Sequence, residues 1–461
     1  MLTGREAARL AVIDALRGAR FVAETLRGLR AQGRLAARES ALAMETALGA
    51  VRHQVTLDHV LKSVADYDPA RVRDELRAAL HCAAYQVVWM DRVPLFAAVD
   101  ETVELTRRTA GRRAAGMVNA ILRALCRAVE LRRTAWRRLD PRLVRVNWSE
   151  ACRFDRPVLP EAELAGAEAH VAAAAAERLS RFQSLVRRFG SDAAEEVTWA
   201  SQATPVTVLL PNRLQIEAAA YQRQIREEFG DAVECTPHAA FLPGSARLAD
   251  SALFREGRAY VQDLTQRFAA SLLEARPGER ILDLCAAPGG KSVALALDME
   301  DRGEIVACDA GEDRIELVRE NARRMHLTCI RTRLIQHSDA SDIGEAPAFD
   351  GAIVDVPCTN TGAIARRPEA RLALTSRKLA SLRRLQTALL RRAAAVVRAG
   401  GRLVYSTCSI EPEENERIVM NFLRENSAWS LEHQQTTLPA WGAQLSAWRD
   451  GGYAARLVRT A

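Results

Sequence analysis

The sequence predicts an α/β fold for the C-terminal half of the chain, preceded by an all-α N-terminal region and a small α+β middle region. From about residue 262, short apolar segments alternate with amphipathic ones, which is typical of a parallel sheet covered by helices on both faces. Residues 1–135 instead carry apolar residues at helical spacing, with few glycines and prolines. We therefore predict an all-helical domain at 1–145, a linker or insertion at 146–180, an α+β region at 181–255 and an α/β domain at 256–461.

The α/β part contains five candidate strands that are short and nearly all apolar: Arg280–Leu284, Glu304–Cys308, Cys329–Gln336, Gly351–Val354 and Arg402–Tyr405. Amphipathic segments between them predict helices at Ser292–Asp298, Glu312–Met325, Lys378–Val397 and Glu413–Arg424. The α+β region carries two brief candidate strands, Val206–Leu210 and Arg258–Val261. In the N-terminal region, helical spacing predicts Arg5–Leu16, Ala41–Val51, Arg71–Trp89, Ala97–Thr106 and Gly116–Val129.

Composition excludes several classes of protein. The 461 residues are 48% hydrophobic and 27% charged, which are ordinary values for a soluble protein. No apolar run approaches the roughly 20 residues of a membrane span, and the N-terminus lacks the apolar core of a signal peptide. The nine cysteines include no C-x-x-C pair, which argues against a disulfide framework or a zinc site. We expect a monomeric cytoplasmic protein with reduced thiols, no membrane contact and no metal.

Positive charge is concentrated near the N-terminus. Residues 1–145 carry 26 arginines and lysines against 16 acidic residues, whereas the whole chain has a net charge of +7. We call eight of these residues the arginine cluster: Arg107, Arg108, Arg112, Arg113, Arg132, Arg133, Arg137 and Arg138. Such asymmetry is typical of contact with a polyanion, and a solvated helical face gives the same pattern.

A loop of small residues follows the first strand of the α/β part. It reads Cys285-Ala286-Ala287-Pro288-Gly289-Gly290-Lys291 and leads into a predicted helix. Small residues let a ligand approach the backbone closely, and a helix N-terminus offers free N–H groups to a carboxylate or phosphate. The pattern G-x-G-x-x-G is absent here, so a dinucleotide fits this loop poorly. The loop therefore predicts a cofactor site of another kind.

Three aspartates follow successive strands of the predicted sheet: Asp309, Asp339 and Asp355. Ligands of open parallel sheets bind beyond the carboxyl ends of the strands, where Asp309 can accept from ribose hydroxyls and Asp339 from an adenine amino group. Each acid also has a purely structural explanation, because strand-end aspartates are common in turns and Asp309 can cap a helix starting near Glu312. Their occurrence together favours a nucleoside-like cofactor.

Two cysteines also close strands in this half. Cys358 lies in Asp355-Val356-Pro357-Cys358, and Cys408 lies in Ser406-Thr407-Cys408-Ser409. Cysteines are often small buried hydrophobes, but an accessible thiol of lowered pKa can add to carbon 6 of cytosine and make carbon 5 able to accept a methyl group. A second thiol or a carboxylate can assist its release, and the base must be unstacked first. The two thiols therefore predict methylation of cytosine carbon 5 in RNA.

Three segments together resemble a known family: D-L-C-A-A-P-G-G-K (283–291), D-V-P-C-T-N-T-G (355–362) and Y-S-T-C-S-I-E-P-E-E-N-E (405–416). With V-Q-D (261–263) and D-G-G-Y-A-A-R-L (450–457), they resemble the RNA m5C methyltransferases that use S-adenosylmethionine. Two N-terminal segments, D-R-V-P-L-F-A-A-V-D-E-T-V-E-L (91–105) and G-M-V-N-A-I-L-R (116–123), resemble a NusB-like helical domain. The combination is similar to the RsmB subfamily, which acts on cytosine in 16S ribosomal RNA.

That resemblance implies a Rossmann-like S-adenosylmethionine-dependent methyltransferase domain joined to an RNA-binding NusB-like domain. Cys408 would be the attacking nucleophile, and Cys358 would help to release the product. Residues 285–291, Asp309, Asp339 and Asp355 would bind S-adenosylmethionine, with Asp355 also near the target base. The partner would be 16S ribosomal RNA of the small subunit.

The chain departs from the family in its middle region. Leu209-Leu210-Pro211-Asn212 stands where the family often has Leu-Arg-Val-Asn, so one expected RNA-contacting arginine is missing. Residues 136–180 also do not match what the family suggests between the two domains. Three alternatives stay open: a cytosine methyltransferase for tRNA or another rRNA position, a non-catalytic RNA-binding or ribosome assembly factor, and a nicotinamide oxidoreductase. The presence of Cys408 argues against the second, and the loop sequence argues against the third.

Overall fold

The computed structural model describes residues 1–231, 233–244, 246, 248–335, 343 and 349–460. The chain forms two compact units, one of residues 1–203 with 364–373 and one of residues 204–363 with 374–461. Asp339, one of the predicted cofactor residues, lies outside the described residues. Across the described ranges, no helix combines the length and the apolar character needed to cross a membrane.

The first unit is mainly helical, as predicted. Its helices are α1 (Gly4–Leu16), α2 (Val22–Ala31), α3 (Ala37–Arg52), α4 (Gln54–Val64), α5 (Asp74–Trp89), α6 (Leu95–Ala110), α7 (Arg112–Ala128), α8 (Ala162–Ala165), α9 (Ala167–Ala174), α10 (Leu179–Phe189) and α11 (Ser191–Gln202). Thr3 begins α1 with a capping box, because its side chain accepts from the Glu6 amide and the Glu6 carboxylate accepts from the Thr3 amide. Helix α5 is the core element, since most of its residues are buried.

A small antiparallel sheet interrupts this helical unit. It contains β1 (Val129–Ala135), β2 (Leu143–Arg145) and β3 (Glu150–Phe154), in the order β1-β3-β2. The prediction of helix throughout residues 1–135 is therefore wrong for the last seven of them, because β1 pairs with a strand that local spacing does not reveal. The stretch 146–180, predicted as a linker or insertion, holds β3, α8 and α9 within this unit.

A segment from the second half of the chain, residues 364–373, also packs in the first unit and ends in α17 (Ala370–Ala373). The Arg52 guanidinium donates to the Ala365 carbonyl at 2.9 Å, and Arg371 donates to the Arg52 carbonyl at 2.9 Å. Arg371 also pairs with Glu177 at 3.3 Å, and both side chains are buried. These buried polar contacts fasten the segment to the helical unit.

The second unit opens with an α+β region from residue 204, whereas residues 181–203 of the region predicted at 181–255 are helical and belong to the first unit. Strands β4 (Thr207–Pro211), β5 (Glu234–Cys235), β6 (Ala240–Leu242) and β7 (Ala259–Val261) form an antiparallel sheet in the order β5-β6-β4-β7. Helix α12 (Ala218–Phe229) packs on it through buried Tyr221 and Ile225, and the Tyr221 hydroxyl donates to the Leu209 carbonyl. Helices α13 (Ala252–Arg255) and α14 (Leu264–Ser271) follow.

A seven-stranded sheet forms the rest of this unit. Its strands are β8 (Arg280–Leu284), β9 (Glu304–Asp309), β10 (Ile330–Leu334), β11 (Phe349–Asp355), β12 (Val397–Thr407), β13 (Trp429–Thr437) and β14 (Gly452–Arg459), in the order β10-β9-β8-β11-β12-β14-β13. Helices α15 (Gly290–Asp298), α16 (Glu312–Arg324), α18 (Ser376–Val396) and α19 (Glu416–Glu425) connect them. All five predicted strands are confirmed, and they are mutually parallel.

Two strands at one side of this sheet are absent from the prediction. β14 pairs antiparallel with β12, and β13 pairs antiparallel with β14. Several residues of β13 are exposed, so this edge strand lacks the apolar run that marks the central strands. The sheet is therefore mixed rather than purely parallel, and its carboxyl edge is formed by β9, β8, β11 and β12.

Candidate functional site

The loop after β8 is shaped for close approach of a ligand. Gly289 has φ +105, a left-handed conformation, and a Cβ there would meet the Val318 backbone at 3.3 Å. The Ala286 amide donates to the Cys308 carbonyl at 2.8 Å, and the Asn321 side chain donates to the Pro288 carbonyl at 2.9 Å. The loop is thus held against β9 and α16, and its last two residues already belong to α15, which begins at Gly290.

Asp309 ends β9 beside this loop. Its carboxylate accepts from the Ala287 amide at 3.1 Å and from the Arg314 guanidinium at 2.8 and 3.1 Å. Burial raises the pKa of Asp309, but the hydrogen bonds and charge of Arg314 outweigh it and hold that pKa below its usual range. Asp309 is therefore an anionic acceptor. A ribose hydroxyl bound there would have to share this carboxylate with its present donors or displace them.

Asp283, in β8, is a polar residue that the sequence argument did not select. Its side chain is fully buried; one oxygen accepts from Ser292 at 2.5 Å, and the other has no hydrogen-bond partner in the described part of the chain. Burial raises the pKa of Asp283 to about 6. An orphaned buried acceptor next to a loop of small residues fits a polar cofactor that supplies a donor there. Its position one residue before the strand end was the signal available in the sequence.

Lys291 and Asp355 meet although 64 positions separate them. The Lys291 ammonium, which is buried, lies 2.8 Å from one Asp355 oxygen and also donates to Gln266. The other Asp355 oxygen accepts from the Ser406 hydroxyl at 2.9 Å. These contacts join the cofactor loop to the ends of β11 and β12.

Strand register brings the two thiols together. Asp355 of β11 lies opposite Ser406 of β12, so the chain leaves both strands at the same edge of the sheet. The sulfur atoms of Cys358 and Cys408, three and two residues further on, lie 3.2 Å apart. We call Cys358, Cys408 and Asn360 the thiol site, because the Cys408 sulfur also lies 3.1 Å from the Asn360 side-chain oxygen.

The two thiols differ in environment. Cys358 is buried, whereas Cys408 is partly exposed. The hydrogen bond with Cys408, together with burial and the nearby Glu414 carboxylate, holds the pKa of Cys358 well above its usual range. Cys358 is therefore a thiol that can donate a hydrogen bond, and Cys408 is the sulfur that an incoming molecule can reach.

Other predicted residues fall into place less directly. Cys285 has φ +73 in the cofactor loop, and burial raises its pKa, so it is an unreactive loop residue. Asn360 and Glu414 were missed, because an amide and an acid in a polar stretch give no sign that the first will contact a thiol and the second will be buried near one. Among the described residues, no group of three or more His, Cys, Asp or Glu side chains is arranged to hold a metal ion.

Most side chains of the arginine cluster bind to other residues of the helical unit. Arg132 and Arg133 donate to carbonyls at the C-terminal end of α5, among them those of Met90 at 2.7 Å and Val88 at 3.1 Å. Those last-turn carbonyls lack helical partners, so the two arginines cap α5. Three other members of the cluster form ion pairs: Arg107 with Glu104, Arg108 with Glu6 and Arg138 with Glu195.

Three members of the cluster are different. Arg112, Arg113 and Arg137 are exposed and form no ion pair or side-chain hydrogen bond with the residues that the structure describes. Arg112 and Arg113 begin α7, a helix without a single acidic residue whose exposed face also carries Arg123 and Arg127. The cationic surface available to a partner is therefore the exposed face of α7 rather than the whole cluster.

Two family models match different parts of the chain. Residues 270–447 match the family described as 16S rRNA methyltransferase RsmB/F, and residues 5–127 match the NusB family. A putative methyltransferase of Mycobacterium tuberculosis is 30% identical over 417 residues, covering 88% of this chain and 83% of the relative. The probable ribosomal RNA small subunit methyltransferase B of Bacillus subtilis is 27% identical over 394 residues, covering 84% and 80%.

Solved structures share the fold. The crystal structure of PH0851 superposes with a TM-score of 0.72 at 22% identity and covers 99% of both chains. NSun6 from Pyrococcus horikoshii, solved with SFG, gives a TM-score of 0.52 at 20% identity over 61% of this chain and 97% of that one. These likenesses support the Rossmann-like architecture described above.

Proposed function

Because this chain belongs to the RsmB/F family of 16S rRNA methyltransferases with a NusB-type N-terminal domain, we propose that it methylates carbon 5 of a cytosine in 16S ribosomal RNA. The methyl donor in this proposal is S-adenosylmethionine, and the reaction proceeds through a covalent bond between Cys408 and carbon 6 of the base. The relatives named as small-subunit rRNA methyltransferases B support the choice of substrate.

The observation that carries the proposal is the pair of sulfur atoms 3.2 Å apart at the carboxyl edge of the sheet. Carbon 5 of cytosine is a poor nucleophile until a thiolate adds to carbon 6, so a reachable sulfur is the group that this reaction requires. Cys408 is the partly exposed member, and Cys358 is the buried one. This asymmetry supports Cys408 as the nucleophile.

The second thiol has a role in release. Loss of the proton from carbon 5 to a base reforms the double bond between carbons 5 and 6, and the bond from carbon 6 to Cys408 breaks with the electron pair going to sulfur. Cys358, whose pKa lies well above its usual range because of the hydrogen bond with Cys408 and burial, stays protonated and donates to the departing sulfur. A charge-assisted hydrogen bond of this kind stabilises the thiolate as it leaves.

The residues of the sheet edge fit the proposed cofactor. S-adenosylmethionine supplies an electrophilic methyl group when bound. Loop residues 285–291 would lie along it, Asp309 would accept from its ribose hydroxyls, and Asp339 would contact its adenine. Asp355 is held by Lys291 and Ser406 between the loop and the thiol site, where it would orient both the cofactor and the target base.

The helical unit would position the RNA. In this proposal the exposed arginines of α7 contact phosphates, which fixes the RNA without reading its sequence. Arg132 and Arg133 take no part, since they cap α5.

Bisulfite mapping of total RNA tests the proposal. RNA from cells with this protein, without it and with the Cys408→Ala variant should differ at one cytosine of 16S RNA, protected only where the intact protein is present. Protection of a tRNA or large-subunit cytosine instead would reassign the substrate. Identical maps in all three would exclude cytosine methylation.

A further inference from the structure

Glu414 is a fully buried acid at the centre of a polar network beside the thiols. One oxygen accepts from the Thr359 amide at 3.0 Å and from the Gln386 side chain at 2.9 Å. The other accepts from the Ser409 hydroxyl at 2.6 Å and from the Thr359 hydroxyl. Four donor groups from three parts of the chain therefore converge on one side chain.

The positions of these donors are specific to the thiol site. Thr359 directly follows Cys358, Ser409 directly follows Cys408, and Gln386 lies on α18. The Gln386 side chain also lies 2.9 Å from the Pro357 carbonyl, one residue before Cys358. Glu414 thus fastens the residue after each sulfur to the same carboxylate.

Further contacts join the loop that contains Cys358 to the loop that contains Cys408. The Thr361 and Ser409 hydroxyl oxygens lie 3.1 Å apart, and the Gly362 amide donates to the Cys408 carbonyl at 3.0 Å. Gly362 approaches Gly451 so closely that a Cβ on it would lie 2.5 Å from the Gly451 backbone. The loop after β11 is therefore bonded to the loop after β12 and packed closely against Gly451.

Glu414 has no cationic partner among the described residues. A buried carboxylate without a counter-ion is costly unless hydrogen bonds compensate it, and here neutral donors do so. An apolar residue at this position would avoid the cost of burying a carboxylate. The retained charge is therefore explained by what it does to its neighbours, the two loops and the Cys358 sulfur.

We propose that Glu414 is a positioning residue for the methyl-transfer reaction, which holds the Cys358 and Cys408 sulfurs in contact and keeps Cys358 in its thiol form. Only the effect on methyl transfer rests on the proposed function. The effect of Glu414 on the Cys358 thiol concerns the free protein and can be measured without RNA.

The first experiment measures single-turnover methylation by Glu414→Gln, which keeps the size of the side chain but removes its charge and one acceptor. Glu413→Gln is the matched control, because Glu413 is the neighbouring acid and pairs with Arg417 at 3.0 Å outside the network. Leaving buried donors unpaired should slow Glu414→Gln by about ten- to a hundredfold, with unchanged S-adenosylmethionine affinity. An unchanged rate would contradict the proposal.

The second experiment follows alkylation of Cys358 by iodoacetamide against pH in a Cys408→Ala background, with peptides quantified by mass spectrometry. The Glu414 charge is one cause of the raised pKa of Cys358, so Glu414→Gln should move the midpoint of alkylation to lower pH. Glu413→Gln should leave it in place. Equal midpoints in the two variants would overturn the electrostatic role, whatever RNA the protein acts on.

If Glu414→Gln does not fold, Gln386→Met provides the test, because it removes one donor from the network and leaves the charge. Its methylation rate should fall severalfold while its S-adenosylmethionine affinity stays that of the wild type. A wild-type rate in a folded Gln386→Met protein would contradict the network's role. Failure of the wild-type protein to methylate any RNA, with the alkylation shift intact, would refute the proposed function and leave the electrostatic effect of Glu414 on Cys358 standing.

Discussion

The carboxyl edge of the large sheet and the arginine cluster differ in what surrounds their side chains. At the sheet edge, groups far apart in sequence converge on one another: Lys291 reaches Asp355, and Cys358 reaches Cys408. In the arginine cluster, groups close together in sequence separate to different partners, so that Arg132 caps α5 while Arg138 pairs with Glu195. Convergence of buried groups marks a site, whereas local density of charge does not.

The reason lies in topology. Parallel strands place their carboxyl ends at one edge, so polar residues after successive strands are brought together whatever the intervening sequence. The arginine cluster is instead spread over α6, α7, β1 and the residues after β1, and its long side chains reach acceptors in several elements. We therefore expect substitutions at the sheet edge to change chemistry and those in the arginine cluster to divide between stability and RNA affinity.

The largest expected effect is that of Cys408→Ala. Removing the nucleophile should reduce methyl transfer by at least about a thousandfold, since Cys408 is the partly exposed sulfur and the neighbouring Cys358 is buried. Thermal unfolding and S-adenosylmethionine affinity should stay those of the wild type. Cys235→Ala is the control, because Cys235 is also partly exposed but lies in β5. Methylation by Cys408→Ala at the wild-type rate would remove Cys408 from the mechanism.

Cys358→Ala should affect release. Without a donor for the departing sulfur, an adduct between protein and RNA should accumulate and survive denaturing electrophoresis, and multiple turnover should stop. The double variant Cys358→Ala with Cys408→Ala should give no adduct. Normal turnover by Cys358→Ala, without trapped RNA, would show that the second thiol is dispensable.

Asp309→Ala should weaken S-adenosylmethionine binding by about ten- to over a hundredfold, because a charge-assisted hydrogen bond contributes roughly 1.5–3 kcal/mol. Calorimetry measures the change directly. Glu312→Ala is the control, since Glu312 lies three residues away and is mostly exposed. Equal affinities of the two variants would mean that Asp309 serves only the loop amide and Arg314.

Two pairs of arginine substitutions should separate the functions within the arginine cluster. Replacing Arg112 and Arg113 by glutamine should flatten the salt dependence of RNA binding by roughly 0.7–0.9 log units per log unit of salt for each lost contact, with unchanged thermal stability. Replacing Arg132 and Arg133 should instead lower the free energy of unfolding by about 1–3 kcal/mol, because carbonyls of α5 lose their donors.

Filter binding across a salt series and thermal unfolding distinguish the two pairs. Equal salt slopes for the Arg112 and Arg113 variant and the wild type would contradict RNA contact by α7. A flattened slope for the Arg132 and Arg133 variant, with normal stability, would mean that these arginines bind RNA after all. Either result would reverse the contrast between the two pairs.

Sequence predicts most of the catalytic framework. The strands β8, β9 and β11 and the last part of β12 are buried and largely apolar, and the loop at 285–291 and both thiols follow such strands, so the sheet edge follows from pattern and topology. Strands β13 and β1 could not be predicted, because many of their residues are exposed and neither carries an apolar run. Glu414 and Asn360 were not predicted either, since the burial of Glu414 and the contact of Asn360 with Cys408 both depend on tertiary structure.

The covalent bond between Cys408 and carbon 6 of the base is tested most directly with 16S RNA substituted with 5-fluorocytidine. Fluorine at carbon 5 cannot leave as a proton does, so elimination is blocked and the covalent complex persists. After digestion with protease and nuclease, mass spectrometry should find a methylated fluorocytidine nucleotide attached to the peptide that contains Cys408. Attachment to Cys358 would contradict nucleophilic attack by Cys408. Methylation of unsubstituted RNA, with no adduct trapped on the fluorinated RNA, would contradict it as well.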